Sequence, residues 1–244
     1  FRFKARCWHN ELKTYRAAII IPGYDPNGKL QSVNRIYLNN DGSKLNENFK
    51  DQGGLIQQAV AKKNYGPTSH ATIKINENPM SDLTLVSEGI ENALSIKQVH
   101  NDANIIASFG VGQLKNLTIA PGTKTIVLCA DNDGLSNHTK APMLDALQKW
   151  QEQGYQVKIA MPFDIDLSKK FDFNDLLKTQ GEIAVRTSLT QAIEVTDLSQ
   201  LKSKSCSLSQ DFIKIQVQAC SKIKQNFDLN VMVSSKEKNQ ELSL

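Results

Sequence analysis

Two short apolar runs, each ending at carboxylates and a glycine, constrain this chain more than any other feature. The first is Leu83-Thr84-Leu85-Val86-Ser87, followed by Glu88-Gly89. The second is Thr125-Ile126-Val127-Leu128-Cys129-Ala130, followed by Asp131-Asn132-Asp133-Gly134. Both have the length and composition of buried strands. Helical patterns alternate with strands around them. A helix is expected from Gly89 to about His100, with Ile90, Ala93, Leu94 and Ile96 on its apolar face. A strand follows at Asn104–Ser108, then a short helix near Gln113–Leu117. After the second run come a helix over Thr139–Gln153 closed by Gly154, a strand at Val157–Met161 and a short helix at Asp172–Thr179 ended by Gly181. This alternation predicts a parallel sheet flanked by helices over residues 81–194, an α/β domain. Ligands of such sheets bind beyond the carboxyl ends of the strands. If the two runs are neighbours, Glu88, Asp131 and Asp133 share one small volume. Carboxylates held that close take up protons unless a cation joins them. Hard oxygen ligands favour Mg²⁺, with Mn²⁺ as a substitute, and Mg²⁺ commonly carries substrate phosphates.

The flanks read differently. Residues 1–80 form a smaller β-rich N-terminal subdomain in this reading. Strands are expected at Ala17–Ile21, Leu30–Leu38 and Ala71–Ile75, with turns at Asp25-Pro26-Asn27-Gly28 and Asn39-Asn40-Asp41-Gly42. A short helix is expected within 53–65. Residues 195–244 are rich in Ser, Lys, Gln and Asn and lack Gly and Pro, so they read as a polar linker or poorly ordered tail. Net charge is +4, distributed as +6 over residues 1–80, −4 over 81–194 and +2 over 195–244. A basic front and an acidic middle match a polyanion-binding surface plus a metal pocket. An unevenly charged solvated surface gives the same pattern, so charge alone does not choose. No apolar run approaches the ~18 residues of a membrane span. The four scattered cysteines suit a reducing cytoplasm rather than a disulfide framework, and Cys129 reads as a small core residue. The chain begins at Phe1, which suggests a piece of a longer protein.

Each acidic residue has a plainer reading. Glu88 could serve as an acid at a helix N-terminus, a role that suits Glu91 better. Asp131 or Asp133 could cap a turn. Two acidic strand ends in one α/β unit favour a shared site instead, and in extended backbone Asp131 and Asp133 point to the same side. Several motifs are excluded. The loop after Asp131 has Leu135 and Ser136 where a calcium loop needs an oxygen ligand and a glycine. No phosphate-binding G-x-x-x-x-G-K-[ST] is present, and Gly110-Val111-Gly112 lacks the third glycine of a dinucleotide fingerprint. Cys7 and His9 offer two ligands where structural zinc takes four, so no zinc is expected in this chain.

Glu88-Gly89 and Asp131-Asn132-Asp133 resemble the two acidic motifs of the Toprim family, the catalytic fold shared by bacterial primases, topoisomerases and some nucleases. Asp172-Phe173-Asn174-Asp175-Leu176 resembles the acidic segment downstream in primase-type members. The stretches Glu88-Gly89-Ile90-Glu91-Asn92-Ala93-Leu94 and Ala130-Asp131-Asn132-Asp133 are most similar to primase-like Toprim proteins of plasmids, phages and conjugative elements. Upstream, Gly28, Arg35-Ile36-Tyr37-Leu38 and Lys63-Asn64-Tyr65-Gly66 also look like theirs. The resemblance implies a Rossmann-like Toprim sheet, catalytic Glu88, Asp131 and Asp133, and metal ligation by Glu88, Asp131, Asp133 and Asp172. It implies nucleic-acid or nucleotide contacts by Arg35, Lys63, Lys169 and Lys170. The partners it implies are single-stranded DNA and nucleoside triphosphates, with a fused or associated helicase or relaxase, in a bacterial, phage or plasmid setting. The expected activity is Mg²⁺-dependent nucleotidyl transfer in replication or conjugative transfer. A Toprim nuclease, or a catalytically degenerate DNA-binding module, are the alternatives. Two positions depart from the pattern: Gly134 follows Asp133 directly, and Phe171 separates Lys170 from Asp172.

Overall fold

A computed structural model describes residues 1–132, 140–162 and 170–195. Asp133, Lys169 and the tail from residue 196 on lie outside the described residues. The chain divides into two units, Phe1–Lys74 with Asn116–Thr118, and Ile75–Lys115 with the residues from Ile119 on.

The first unit is built from β1 (Arg2–His9), β2 (Thr14–Tyr24), β3 (Leu30–Leu38), β4 (Asn48–Lys50), β5 (Ile56–Gln58) and β6 (Lys62–Tyr65). Four of these form an antiparallel sheet in the order β1-β2-β3-β6, while β4 and β5 pair as a separate hairpin. The turn between β2 and β3 is set by Asp25, whose Oδ1 accepts from the backbone N–H of Asn27 (2.9 Å) and Lys29 (2.8 Å). Cys7, Ala18, Tyr37, Leu45 and Ala59 make a small core. His9 is buried with them: its Nδ1 accepts from the Leu12 N–H, its Nε2 pairs with the Val60 carbonyl, and its ring meets Tyr37 edge-on at 4.5 Å. The helix expected within 53–65 is not formed, because strands β5 and β6 occupy that stretch. Gly53 and Gly54 weaken a helix there, and Lys62–Tyr65 instead completes a ladder with Val33–Ile36. Strand β1, not foreseen from the sequence, has its inward pattern only at its end, where Cys7 and His9 are buried.

The second sheet has six strands, ordered β12-β11-β10-β8-β9-β7. These are β7 (Ile73–Asn76), β8 (Leu83–Ser87), β9 (Asn104–Ala107), β10 (Thr125–Cys129), β11 (Gln156–Ala160) and β12 (Ile193–Glu194). The pairs β8–β9, β8–β10 and β10–β11 are parallel, and β12 closes one edge antiparallel to β11. The helices are α1 (Ile90–Val99), α2 (Lys140–Glu152) and α3 (Phe173–Thr190). Strands β8, β9 and β10 are almost continuously buried, as parallel strands covered on both faces must be. Trp150 and Leu147 of α2 are among the largest fully buried side chains; burying a side chain of this kind contributes about 1.5–3 kcal/mol. Cys129 is a core residue, and burial pushes its thiol pKa well up, so it stays protonated. Gly181 (φ 83°, ψ −175°) breaks α3 into two helical stretches, so the expected stop is real but the chain resumes helix up to Thr190. No helix among the described residues is long and apolar enough to cross a membrane.

Two glycines of the first unit differ in what they tolerate. Gly66 and Gly28 both have φ near +80°, a conformation costing an L-residue roughly 1–2 kcal/mol. A Cβ at Gly66 would also lie 2.5 Å from the Gln31 carbonyl oxygen, whereas at Gly28 it would meet nothing within 4 Å. Denaturant melts should therefore show Gly66→Ala losing clearly more stability than Gly28→Ala, by about 1 kcal/mol or more. Equal losses would contradict the close approach of the two backbones.

Candidate active site

The chain runs from β8 through α1 to β9 on one side, then crosses back so that β10 lies on the other side of β8. This makes the β8/β10 boundary a topological switch point, where connections diverge and leave a crevice at the strand ends. The register pairs Ser87 with Cys129 at the ends of the two strands. Glu88 and Asp131 therefore leave the sheet at the same end, on adjacent strands. The turn after β8 is fixed by two serines. Ser87 Oγ donates to the Gly89 carbonyl (2.9 Å) and accepts from its N–H (3.3 Å). Ser108 donates its N–H to the Ser87 carbonyl (3.0 Å) and its Oγ–H to the Glu88 carbonyl (3.2 Å).

Asp131 is held by a residue that the sequence reading passed over. Asn92 Nδ2 donates to Asp131 Oδ1 at 2.6 Å, while Asn92 Oδ1 accepts the Asn174 N–H at 3.1 Å. Asn92 is buried and so joins α1, the end of β10 and the start of α3. Ser95, one turn on, donates to the Glu91 carbonyl (3.0 Å) and lies 3.4 Å from Asn174 Oδ1. Ile90, Ala93 and Ile96 of α1 are buried as expected, but the inward face is broader and more polar than expected. Asn92 and Ser95 are buried, and Leu94, assigned to the apolar face, is 41% exposed. The signal was available: asparagine is a poor helix residue unless its amide has local partners.

Asp172 joins the site through a backbone bridge. Asn132 and Phe171 exchange N–H···O bonds in both directions, each 2.9 Å. In antiparallel register that bridge puts Asp131 opposite Asp172, in the closer, non-hydrogen-bonded kind of pair. Asp172 also caps α3, its Oδ1 accepting the Asp175 N–H at 2.8 Å. Burial raises the Asp172 carboxyl pKa above its ordinary value, and the charges of Asp175 and Glu91 push the same way, against hydrogen bonds from the Asp175 and Asn174 backbone. Lys170 is exposed at the start of this segment. Glu88, Asp131 and Asp172 thus all lie at one end of the sheet. Among the described residues, to which Asp133 does not belong, no three His, Cys, Asp or Glu side chains are grouped closely enough to hold a metal ion.

Arg35 and Lys63 belong to the first unit, where the register places them opposite each other on β3 and β6. The Arg35 guanidinium lies 4.1 Å from the centroid of the Tyr65 ring. Lys63 Nζ forms a 2.7 Å ion pair with Glu11 Oε1, and Glu11 Oε2 accepts the Val60 N–H. Burial raises the Glu11 pKa, but Lys63 and the Val60 N–H outweigh it and hold the carboxylate below its usual range. Lys63 thus carries a structural ion pair that the sequence did not announce.

The Asp172 geometry gives a pH-dependent expectation. A carboxyl whose pKa is raised by folding contributes stability below its unfolded pKa, and loses that contribution as pH rises through the folded value. Asparagine caps helices as well as aspartate does. Without divalent metal, Asp172→Asn should melt higher than the wild type at pH 7, by roughly 1–3 °C for a half-exposed group. The gain should vanish under acid conditions where Asp172 is protonated. A lower melting point at pH 7 would contradict the assigned electrostatics.

The Toprim domain family matches residues 83–182. No curated protein matches the chain. Similar solved structures include a DnaG primase catalytic domain bound to single-stranded DNA (17% identity, TM-score 0.47, covering 72% of this chain and 52% of that one). A DNA primase domain from Pseudomonas aeruginosa is 18% identical, with TM-score 0.45 and coverage of 78% and 57%. The primase fragment of the bacteriophage T7 primase–helicase is 13% identical, with TM-score 0.43 and coverage of 71% and 62%. The chain therefore spans between about half and three fifths of those proteins' described lengths. Residues 83–182, which carry Glu88, Asp131 and Asp172, are thus the part of the chain that matches the Toprim domain family.

Proposed function

We propose that this chain is a primase-like Toprim nucleotidyltransferase that extends primers on single-stranded DNA from nucleoside triphosphates. The observation that carries the reading is the gripped carboxylate at the switch point: Asp131, fixed by Asn92, lies opposite Asp172 and one strand from Glu88. The donor set suits Mg²⁺. Every candidate ligand is a hard oxygen, and a carboxyl pushed up by burial and acidic neighbours is one that a dication would relieve. Glu88, Asp131 and Asp172 would hold the ion, with Asp133 as the fourth ligand. Bound there, Mg²⁺ supplies charge neutralisation for the phosphate oxygens during transfer.

The chain's own residues do the rest in this reading. Asn92 fixes the Asp131 rotamer, so one carboxylate oxygen is committed and the carboxylate cannot swing away. Glu88 takes the proton of the attacking 3′-hydroxyl at its carboxylate. Lys170, with Lys169, meets the triphosphate, and Arg35 and Lys63 meet the strand's phosphates. The β-rich subdomain of residues 1–80 is the template-holding part, residues 81–194 are the catalytic part and 195–244 a polar linker or tail, and a fused or associated helicase or relaxase is the protein partner in this scheme.

Primer synthesis on single-stranded DNA with Mg²⁺ and nucleoside triphosphates tests the activity directly. Asp131→Ala should lower it at least about 100-fold. An unaffected rate removes Asp131 from the chemistry, and cleavage of the labelled strand without nucleotides would assign the site to a nuclease instead. Asn92→Ala leaves every carboxylate in place but removes the amide that donates to Asp131 Oδ1. Titration calorimetry with Mn²⁺ should show it binding about 10–100-fold more weakly; unchanged affinity would reduce Asn92 to a packing residue.

A further inference from the structure

We infer that the outward face of the β1–β2 hairpin is a stacking platform for single-stranded DNA. Residues 2–9 carry Arg2, Lys4 and Arg6, contain no carboxylate, and interleave them with Phe3 and Trp8. Five residues separate Phe3 from Trp8, so in a regular strand they would face opposite ways. The β1 register slips between Lys4 and Cys7: three residues of β1 span what two residues of β2 span. This bulge restores the parity. Phe3 pairs with Ile19 and Trp8 pairs with Tyr15, both odd positions of β2, so Phe3, Trp8 and Tyr15 share one face. Cys7 and His9 take the other face and enter the core.

The three aromatic rings are conspicuously solvated, at 68% for Phe3, 42% for Trp8 and 50% for Tyr15. Trp8 and Tyr15 meet edge-to-face at 5.3 Å, and the Arg6 guanidinium lies 4.7 Å from the Tyr15 centroid. The row runs about 13 Å along β2, the length of four residues. By the same register Arg2, opposite Ile20, and Lys4, opposite Ala18, fall on the other face of the hairpin, so Arg6 is the cation set against the rings. Apolar rings left in water with a guanidinium stacked among them are the composition of a surface that stacks bases and meets a phosphate. Docking of another β-strand on this edge is disfavoured by the three cations along it. The choice of DNA as the strand rests on the function proposed above; the aromatic row does not.

The full chain should be titrated with a labelled oligo-dT strand in EDTA and without nucleotides, which isolates binding from catalysis. The chain has two tryptophans, and Trp150 is 1% exposed, so quenching of tryptophan emission reports Trp8. Quenching is expected for the wild type. Trp8→Ala with Tyr15→Ala should bind about tenfold more weakly or worse, whereas Trp8→Phe with Tyr15→Phe should keep the affinity. Neutralising Arg6 to Gln should flatten the slope of log affinity against log salt by about 0.7. Wild-type affinity in the double-alanine chain, or unquenched Trp8 in a bound wild type, would overturn the platform. A tighter hold on oligo-U would reassign it from DNA to RNA and overturn the inference as stated. A chain that binds through this row but makes no primers keeps the platform and sinks the catalytic reading. Primer synthesis together with undiminished double-alanine binding does the reverse.

Discussion

The parallel ladder between β8 and β10 is the constraint on which the candidate site of this protein depends. Its pairs run from Leu83 with Thr125 to Ser87 with Cys129. Because β9 lies on the far side of β8, the ladder also marks where the chain reverses its direction of growth. A slip of one residue would turn every side chain of β10 to the opposite face. The near-complete burial of Ile126 through Cys129 makes that slip expensive. The apolar runs thus do two things at once: they fix register by burial, and they deliver Glu88 and Asp131 to the same rim.

Strand ends alone do not make a site, since a carboxylate on a loop can rotate away. Three polar devices restrict this one. Asn92 takes one oxygen of Asp131, the Asn132–Phe171 bridge brings Asp172 across from it, and the cap on α3 fixes the Asp172 side chain. The first two tie together segments distant in sequence, and the third is local. The cost is electrostatic: burial and the neighbouring Asp175 and Glu91 raise the Asp172 pKa. That unfavourable charge is what gives a divalent cation something to relieve.

The strands and the helices of the Toprim region were legible because burial on two faces writes long apolar runs, and because Gly154 and Gly181 sit where the chain needs positive φ. The interior of α1 was legible at Ile90, Ala93 and Ile96 but not at its polar positions: Asn92 and Ser95 are buried and Leu94 is not, since the partners of those two residues beyond β10 and on α3 are invisible to a periodicity count. Strand β1 escaped notice because its outward residues are cationic and aromatic and a bulge breaks its alternation. The stretch 53–65 was misread for a related reason: β6 is a strand because β3 offers it an edge, not because its own sequence demands one. Charge was the least legible property. Lys63 and Arg16 add to the basic count of the front half, but Glu11 and Glu47 occupy them. Arg2, Lys4 and Arg6 lie in a strand that contains no acid.

Diffraction from crystals soaked in Mn²⁺, collected at the manganese edge, tests the convergence of carboxylates most directly. The arrangement described here predicts an anomalous peak at the β8/β10 rim with oxygens of Asp131 and Asp172 in its coordination shell. Manganese bound elsewhere on the protein, with that rim empty at saturating Mn²⁺, would contradict it.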